Sequence, residues 1–564
     1  MKRQSTKSSL TAVEVRPSSL AKKIDDIRAR ERGADFDTAL LLDIRAMEEH
    51  LSTLRNSDEL YYLKLISISA EVYDYFGCFE DAQRIVSADG SKILYEFPHW
   101  APAPSDTERI LRRQQVWAVL HYAQTKYRIH SYNEAEEIVH KCMNVIFDKV
   151  RDEKHGFDCF GTLARVNYLL GRIYRQRVGD YEKAKRFFTA SIEYSYQALE
   201  KRTKGLEGDS DRYKQEQALA AYRIAKSLAL GLGWIYYTQG FLRQALPVIL
   251  TARALLLPTQ DRLHKAYVEL LYGCVQRSAA GYDQHKLADA KRTLWKAYRV
   301  FSCSSHLAYK ARAAYQLALV SLYSGKYNRA LAFVRRLKAY SVSAADDRWR
   351  CNALIIESRI LRRKANGAED VLKRARDIAS EAFRGAERGG LVLCQTDALL
   401  ARGEALLDLK EVKSARGDFS RALEMGGAEN PKMYGICRLH LAKTYVADRN
   451  LHMAEKHFDE WKRVEKQVEN QLAHDCARIV QEQLAELTED FVISSAAQDL
   501  KYENHLKNLQ AFLETRAKQK SGGDESVAEI LGVSRQTLYN WRNSRNGAAA
   551  AQPTAANKPP LKNS

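Results

Sequence analysis

Small and large side chains recur along most of this chain in a pattern that a single strand or a lone amphipathic helix does not produce. In LGWIYYTQGFLRQALPVILTA, Gly233 is followed by Tyr236, Gly240, Leu242, Ala245, Ile249 and Ala252. Apolar positions three and four apart mark helices, and the polar residues around Gly240 mark a turn between two of them. The small residues Gly233 and Ala245 belong where two antiparallel helices touch. The large ones fill the space around that contact. Gly240 falls in the turn, where a positive φ is often required.

The spacing repeats. Ala70, Tyr73, Gly77, Phe79, Ala82 and Val86 match it without a gap, as do Ala318, Gly325, Tyr327, Ala330 and Val334. Gly403, Leu406, Val412, Ala415, Phe419 and Ala422 match, and so do Ala442, Tyr445, Leu451, Ala454 and Phe458. A looser copy holds Ala123, Tyr132, Ala135 and Val139. Two more carry longer turns: Gly171 to Phe188 through Tyr174, Gly179, Tyr181 and Ala184, and Gly273 to Ala297 through Leu287, Ala290 and Leu294. The interval from Ala330 to Ala415 spans about two units, so one copy without the signature is expected near residues 349–384. The pattern covers about residues 60–465 and resembles the tetratricopeptide repeat (TPR) family. The fold class expected is therefore all-α: a TPR-like α-solenoid of about eight to nine helical hairpins, followed by a small three-helix module.

Stacked hairpins leave a concave groove lined by the first helix of each. Here those helices would offer Tyr75, Tyr127, Arg128, Arg172, Arg175, Trp234, Tyr237, Tyr323, Glu404 and Asp408. The TPR resemblance implies a peptide or protein partner in that groove.

Elsewhere the pattern breaks. Residues 1–34 are basic at the start, lack an apolar stretch of the secretory kind, and are expected to form a disordered arm. FPHWAPAPSDTE (97–108) concentrates three prolines, reading as a linker between N-terminal hairpins (35–96) and the main superhelix (109–470). Over 471–520, Ala473, Cys476, Val480, Leu484, Leu487 and Phe491 form one apolar helical face, and Tyr502, Leu506, Leu509 and Leu513 resume it after a break at SSAAQ. Capping or coupling helices are expected there. The low-complexity tail, 548–564, is expected to be disordered.

Residues 521–547 have a different logic. Ala528 packs where two helices cross, Gly532 makes the turn, Val533 plugs the space beneath it, and Ser534 caps the next helix. Leu538 and Trp541 turn one stripe of that helix inward, against Val527 and Leu531. The segment GGDESVAEILGVSRQTLYNW resembles the Fis-type and transposase-type helix-turn-helix families. The resemblance implies that the second helix enters the major groove of DNA. Arg535, Gln536, Tyr539 and Asn540 are then placed for base edges, and Ser534, Arg542 and Arg545 for phosphates. AFLETRAKQ (511–519) is the candidate preceding helix. One such module covers only about 600–1,000 Å² of protein surface, so a homodimer is expected.

Composition sharpens this picture. A net charge of +19 favours anionic partners, nucleic acid first among them. The nine cysteines stand singly, without CxxC, and read as small core residues of a reducing cytoplasm. No apolar run reaches membrane length. Signatures for a P-loop, a zinc protease, a nucleophile elbow and a dinucleotide fold are all missing, so neither an enzyme nor a cofactor or metal is expected. The sequence thus describes a cytoplasmic DNA-binding regulator whose repeat array takes a peptide or protein. A TPR interaction scaffold, with the terminal module docking protein or touching nucleic acid without specificity, is the alternative. The transposase-like SRQTLYNWRN leaves a mobile-element accessory protein as a third.

Overall fold

The computed structural model describes residues 17–32 and 38–498, with breaks at 77, 97–104, 129–130, 147–158, 177–179, 205–209, 260, 305, 344–345 and 428–429, then 509–517, 534, 536, 537, 539 and 540. Every regular element among the described residues is helical, and the architecture is an all-α, TPR-like solenoid. Three helices come first: α1 (Pro17–Arg32), α2 (Thr38–Glu48) and α3 (Leu51–Ser57). Hairpins follow: α4 (Glu59–Phe76) with α5 (Phe79–Glu96), α6 (Asp106–Arg128) with α7 (Tyr132–Val145), and α8 (Phe160–Gln176) with α9 (Tyr181–Thr203). The fourth has a composite first arm, α10 (Ser210–Lys226), a π-helical stretch Ser227–Gly233 and α11 (Trp234–Gln239), returning as α12 (Leu242–Leu256). Then come α13 (Arg262–Ala280) with α14 (Gln284–Ser302), α15 (Leu307–Tyr323) with α16 (Tyr327–Ser343), and α17 (Asp347–Lys364) with α18 (Glu369–Arg388). The last are α19 (Val392–Asp408) with α20 (Val412–Gly426) and α21 (Pro431–Ala447) with α22 (Leu451–Glu465), before a long α23 (Gln471–Gln498).

The crossings explain the repeat. The Phe188 ring lies between Gly171 and Gly231, where a Cβ would come within 2.9 and 2.6 Å of it. A Cβ on Gly403 would meet Phe419 at 2.6 Å, and one on Gly273 would meet Leu294 at 2.8 Å. In the hairpin without the signature, α17–α18, Ser358 and Ala375 occupy the crossing and Ser358 Oγ donates to the Ala375 carbonyl at 2.7 Å. Glycine against phenylalanine has become serine against alanine, so the volume is shared out differently and the pattern vanishes from the sequence. In the turns, Gly240 has φ of 91° and Gly325 of 70°.

First helices are buried more completely than second ones. In α8 nearly every residue from Gly161 to Arg175 is buried, whereas α9 buries only one stripe. Helices flanked on two sides carry their polar groups inward, which is what lines a groove.

Three expectations need correction. The N-terminal arm is helical from Pro17, because Leu20, Ile24 and Ile27 form a fully apolar stripe that Lys22, Lys23, Asp25 and Asp26 obscure in the sequence. Helix α6 already begins at Asp106, inside the expected linker. SSAAQ does not break its helix, since α23 continues to Gln498.

The chain divides into two compact units, Met1–Thr444 with Lys456–Arg478 and Tyr445–Glu455 with Ile479–Ser564. Within the first, the solenoid coils back on itself. The Glu469 amide donates to the Gly240 carbonyl at 3.0 Å, the Glu469 carboxylate pairs with Arg243 at 3.2 Å, and Lys432 sits over the Tyr237 ring. Within the second, residues 509–517 are helical and Arg516 pairs with Glu489. No helix among the described residues is long and apolar enough to cross a membrane.

Candidate functional site

The first helices of seven successive hairpins, α4 through α17, converge on one cavity of about 470 Å³. Tyr127, Arg128, Arg172 and Arg175, singled out from the sequence, all line it. So do Glu71, Tyr168, Lys226, Tyr267, Arg312, Asp346 and Arg348, which the sequence reading missed. A local signal was present. Glu71, Gln124, Arg172, Trp234, Arg359 and Glu404 each directly follow the small residue of a crossing, Ala70, Ala123, Gly171, Gly233, Ser358 and Gly403. If the small residue faces the partner helix, the next side chain, turned by about 100° on the helix, can face the groove.

Aromatic rings hold the arginines in place. The Arg172 guanidinium lies 4.4 Å from the centre of the Tyr127 ring and 5.7 Å from that of Tyr168. Arg312 is 4.6 Å from the Trp234 ring, and also stacks on Tyr267 and bonds its hydroxyl. Arg175 donates to the Leu230 carbonyl in the π-helical stretch. Lys226 lies between Tyr222 and Tyr168 and 3.9 Å from Glu71, which also pairs with Arg165. Arg348 pairs with Asp346 at 3.1 Å.

The resulting field is strongly positive. Burial pushes the Tyr127 phenol up, but Arg172, Arg175, Arg348 and Arg128 outweigh it and bring it down to about 7. Gln176 donates to that phenolic oxygen at 2.9 Å. Burial, then the neighbouring Arg348 and Arg175, lowers even the Arg312 guanidinium. Among the described residues lining the cavity, the six cations Arg128, Arg172, Arg175, Lys226, Arg312 and Arg348 face two acids that are not exposed, Glu71 and Asp346.

Further along, the groove changes character. Arg277 donates to Tyr237 at 2.6 Å and Gln316 at 3.2 Å and lies over Tyr323. Tyr237 and Tyr323 therefore belong to this second cluster, while Trp234 borders the first. Arg362 pairs with Glu404 at 3.2 Å and Asp408 at 3.1 Å, His440 approaches Glu404 at 3.4 Å, and Arg359 stands 3.7 Å from Asp397. Arg362, His440 and Arg359, acting against burial, hold the Glu404 carboxyl down at about 2. Burial brings His440 down to about 4. The Tyr75 side chain lies outside the described residues.

Six of the nine cysteines are buried, and burial holds Cys274 at about 12 and Cys351 at about 11, so these thiols stay protonated and inert.

In the C-terminal segment, residues 536, 537, 539 and 540 are helical. Ser534 Oγ accepts the Thr537 amide at 3.0 Å, as an N-cap does. Gln536, Tyr539 and Asn540 are exposed, and the Gln536 amide donates to Asn540 at 3.1 Å. Arg535, Arg542, Arg545, Val527, Ala528, Leu531, Gly532, Val533, Leu538 and Trp541 lie outside the described residues.

The fold defines the protein as a TPR-like α-solenoid. No family model and no curated protein matches the chain. Among solved structures it is similar to a Rap protein complexed with Competence and Sporulation Factor, at 14% identity and a TM-score of 0.46, over 72% of this chain and 98% of that one. It is also similar to aspartyl phosphate phosphatase F from Bacillus subtilis, at 15% identity and a TM-score of 0.39, over 74% and 96% of the two chains. The apo form of RapI aligns at 15% identity and a TM-score of 0.35, over 70% and 98%.

Proposed function

We propose that the chain is a DNA-binding transcriptional regulator whose TPR-like array takes a peptide or protein partner and whose C-terminal helix-turn-helix reads DNA. The observation that carries this reading is the exposure of the polar side chains at 534, 536, 539 and 540. Gln536, Tyr539 and Asn540 are exposed together on a short helix opened by the Ser534 cap. An amide side chain there can make paired hydrogen bonds to adenine, and Arg535 can do so to guanine. Ser534, Arg542 and Arg545 hold phosphates, and a homodimer supplies the second half-site. The net charge of +19 adds a salt-dependent attraction to the duplex.

The test is selection of bound sequences from random duplexes, followed by anisotropy titration at several salt concentrations. Enriched sequences with a steep salt slope are expected. Arg535→Ala with Asn540→Ala should flatten the sequence preference and keep the chain folded. Binding without sequence preference would move the protein to the second reading, an interaction scaffold. That reading is favoured by the cavity, which has its own recognition chemistry independent of residues 521–547.

A further inference from the structure

We propose that the cavity between α6, α8 and α17 is a phosphoryl-binding site, its compact dianion held by Arg172, Arg175 and Arg348 and by the Tyr168 hydroxyl. The proposal rests on the array being the ligand-binding part of the chain, and names what it binds. Three observations support it. Six cations and four acids line the cavity, two of the acids exposed, so its net charge is positive and suits an anion. Arginines already fixed by stacking on rings, as Arg172 is on Tyr127 and Tyr168, present a planar edge of donors at little entropic loss. Tyr168 lines the cavity, and its buried hydroxyl has no hydrogen-bond partner.

A carboxylate fits this less well. It brings one charge and two oxygens, whereas a phosphoryl group brings nearly two charges and three oxygens to several guanidinium groups at once. The cavity, at about 470 Å³, is in the range of small-molecule sites, roughly 300–1,000 Å³. Because the donors come from α8 and α17, binding would tie the third hairpin to the seventh. The phosphoryl group can arrive on a free nucleotide or on a phosphorylated residue of a protein partner.

The experiment titrates the full chain with inorganic phosphate, ATP, a phosphoserine peptide, its unphosphorylated counterpart and acetate, reading melting temperature and calorimetric affinity. Phosphate is expected to stabilise the chain and acetate to do so far less. Arg172→Met with Arg348→Met should weaken phosphate at least tenfold, and Tyr168→Phe, which removes only a hydroxyl, should weaken it measurably. Arg421→Met, in an exposed pair with Glu387, should change nothing. ATP exceeding phosphate points to a nucleotide, the phosphopeptide exceeding both points to a partner, and either supports the site. Acetate matching phosphate, affinity indifferent to these variants, or no binding of any phosphoryl probe overturns it. Target-gene output separates this from the broader reading. Arg172→Met with Arg348→Met changing output while no phosphoryl probe binds would leave the sensing role standing, and unchanged output would remove that role.

Discussion

The two stretches of the groove are built from the same side chains and balanced in opposite ways. Around α17 and α19, arginine meets carboxylate: Arg362 has Glu404 and Asp408, and Arg359 has Asp397 nearby. Around α6 and α8, arginine meets aromatic rings, and Arg128, Arg172 and Arg175 share a cavity with Arg312 and Arg348. Buried charge is tolerated only when compensated. The far stretch supplies its own compensation and is part of the scaffold. The near stretch adds ring quadrupoles and the Tyr127 phenol to the pairs of Glu71 and Asp346, and its lining cations still outnumber its lining acids.

The comparison breaks most sharply at Glu404. Glu404→Ala leaves Arg362, Arg359 and His440 facing one another without that acid; removing one partner from a fully buried ion pair costs about 3–5 kcal/mol, an upper bound for this partly exposed one. Arg172→Met in the near stretch removes a like charge and keeps an apolar stem against Tyr127, so stability should change by less than about 1 kcal/mol, or rise. Urea unfolding of both variants measures this. Equal losses would mean that the near arginines are structural too.

Packing should not distinguish the stretches. Gly171 and Gly403 make the same crossing against Phe188 and Phe419. Gly171→Val and Gly403→Val should each cost about 1–3 kcal/mol through overpacking. Unequal losses would assign part of the contrast to the crossings instead of the charges.

The pH dependence separates the stretches by window. The Tyr127 phenol is depressed to about 7, below its ordinary value of 10. Its contribution is complete above 10 and is lost as pH falls through 7. The difference in melting temperature between the wild type and Tyr127→Phe should therefore grow from pH 7 to pH 9. His440 and Glu404 are also depressed, to about 4 and about 2. Their contributions are present above about 6.5 and 4.5 and fade toward acid. Acid titration of Tyr127→Phe should follow the wild type below pH 6; a divergence there would show that the windows overlap.

Much of this scaffold can be read from the chain, because a glycine at a helix crossing is imposed by its phenylalanine or leucine partner sixteen to twenty-one residues away in the same hairpin. Such contacts are local in sequence. The hairpin α17–α18 escapes because Ser358 and Ala375 satisfy the same crossing with a hydrogen bond. The cavity escapes for another reason. Tyr127 and Arg348 meet only because the coil of the solenoid adds up small rotations over five hairpins, and no pattern within one repeat encodes that sum. Arg172 and Arg175 were visible as groove residues, but their company was not.

The turns give the smallest test. Gly325 closes the α15–α16 hairpin with φ of 70°, and Lys410 closes α19–α20 with φ of 64°. A side chain in that left-handed region costs roughly 1–2 kcal/mol, offset in part because glycine gives the unfolded chain more freedom. Lys410→Gly should therefore stabilise the far stretch by up to about 1 kcal/mol, visible as a higher urea midpoint with an unchanged slope. Gly325→Lys should do the reverse, since nothing lies within 4 Å of a Cβ there and the strain acts alone. If Lys410→Gly destabilises instead, the lysine contributes a contact that outweighs its backbone strain, and the two turns are not equivalent positions of one repeat.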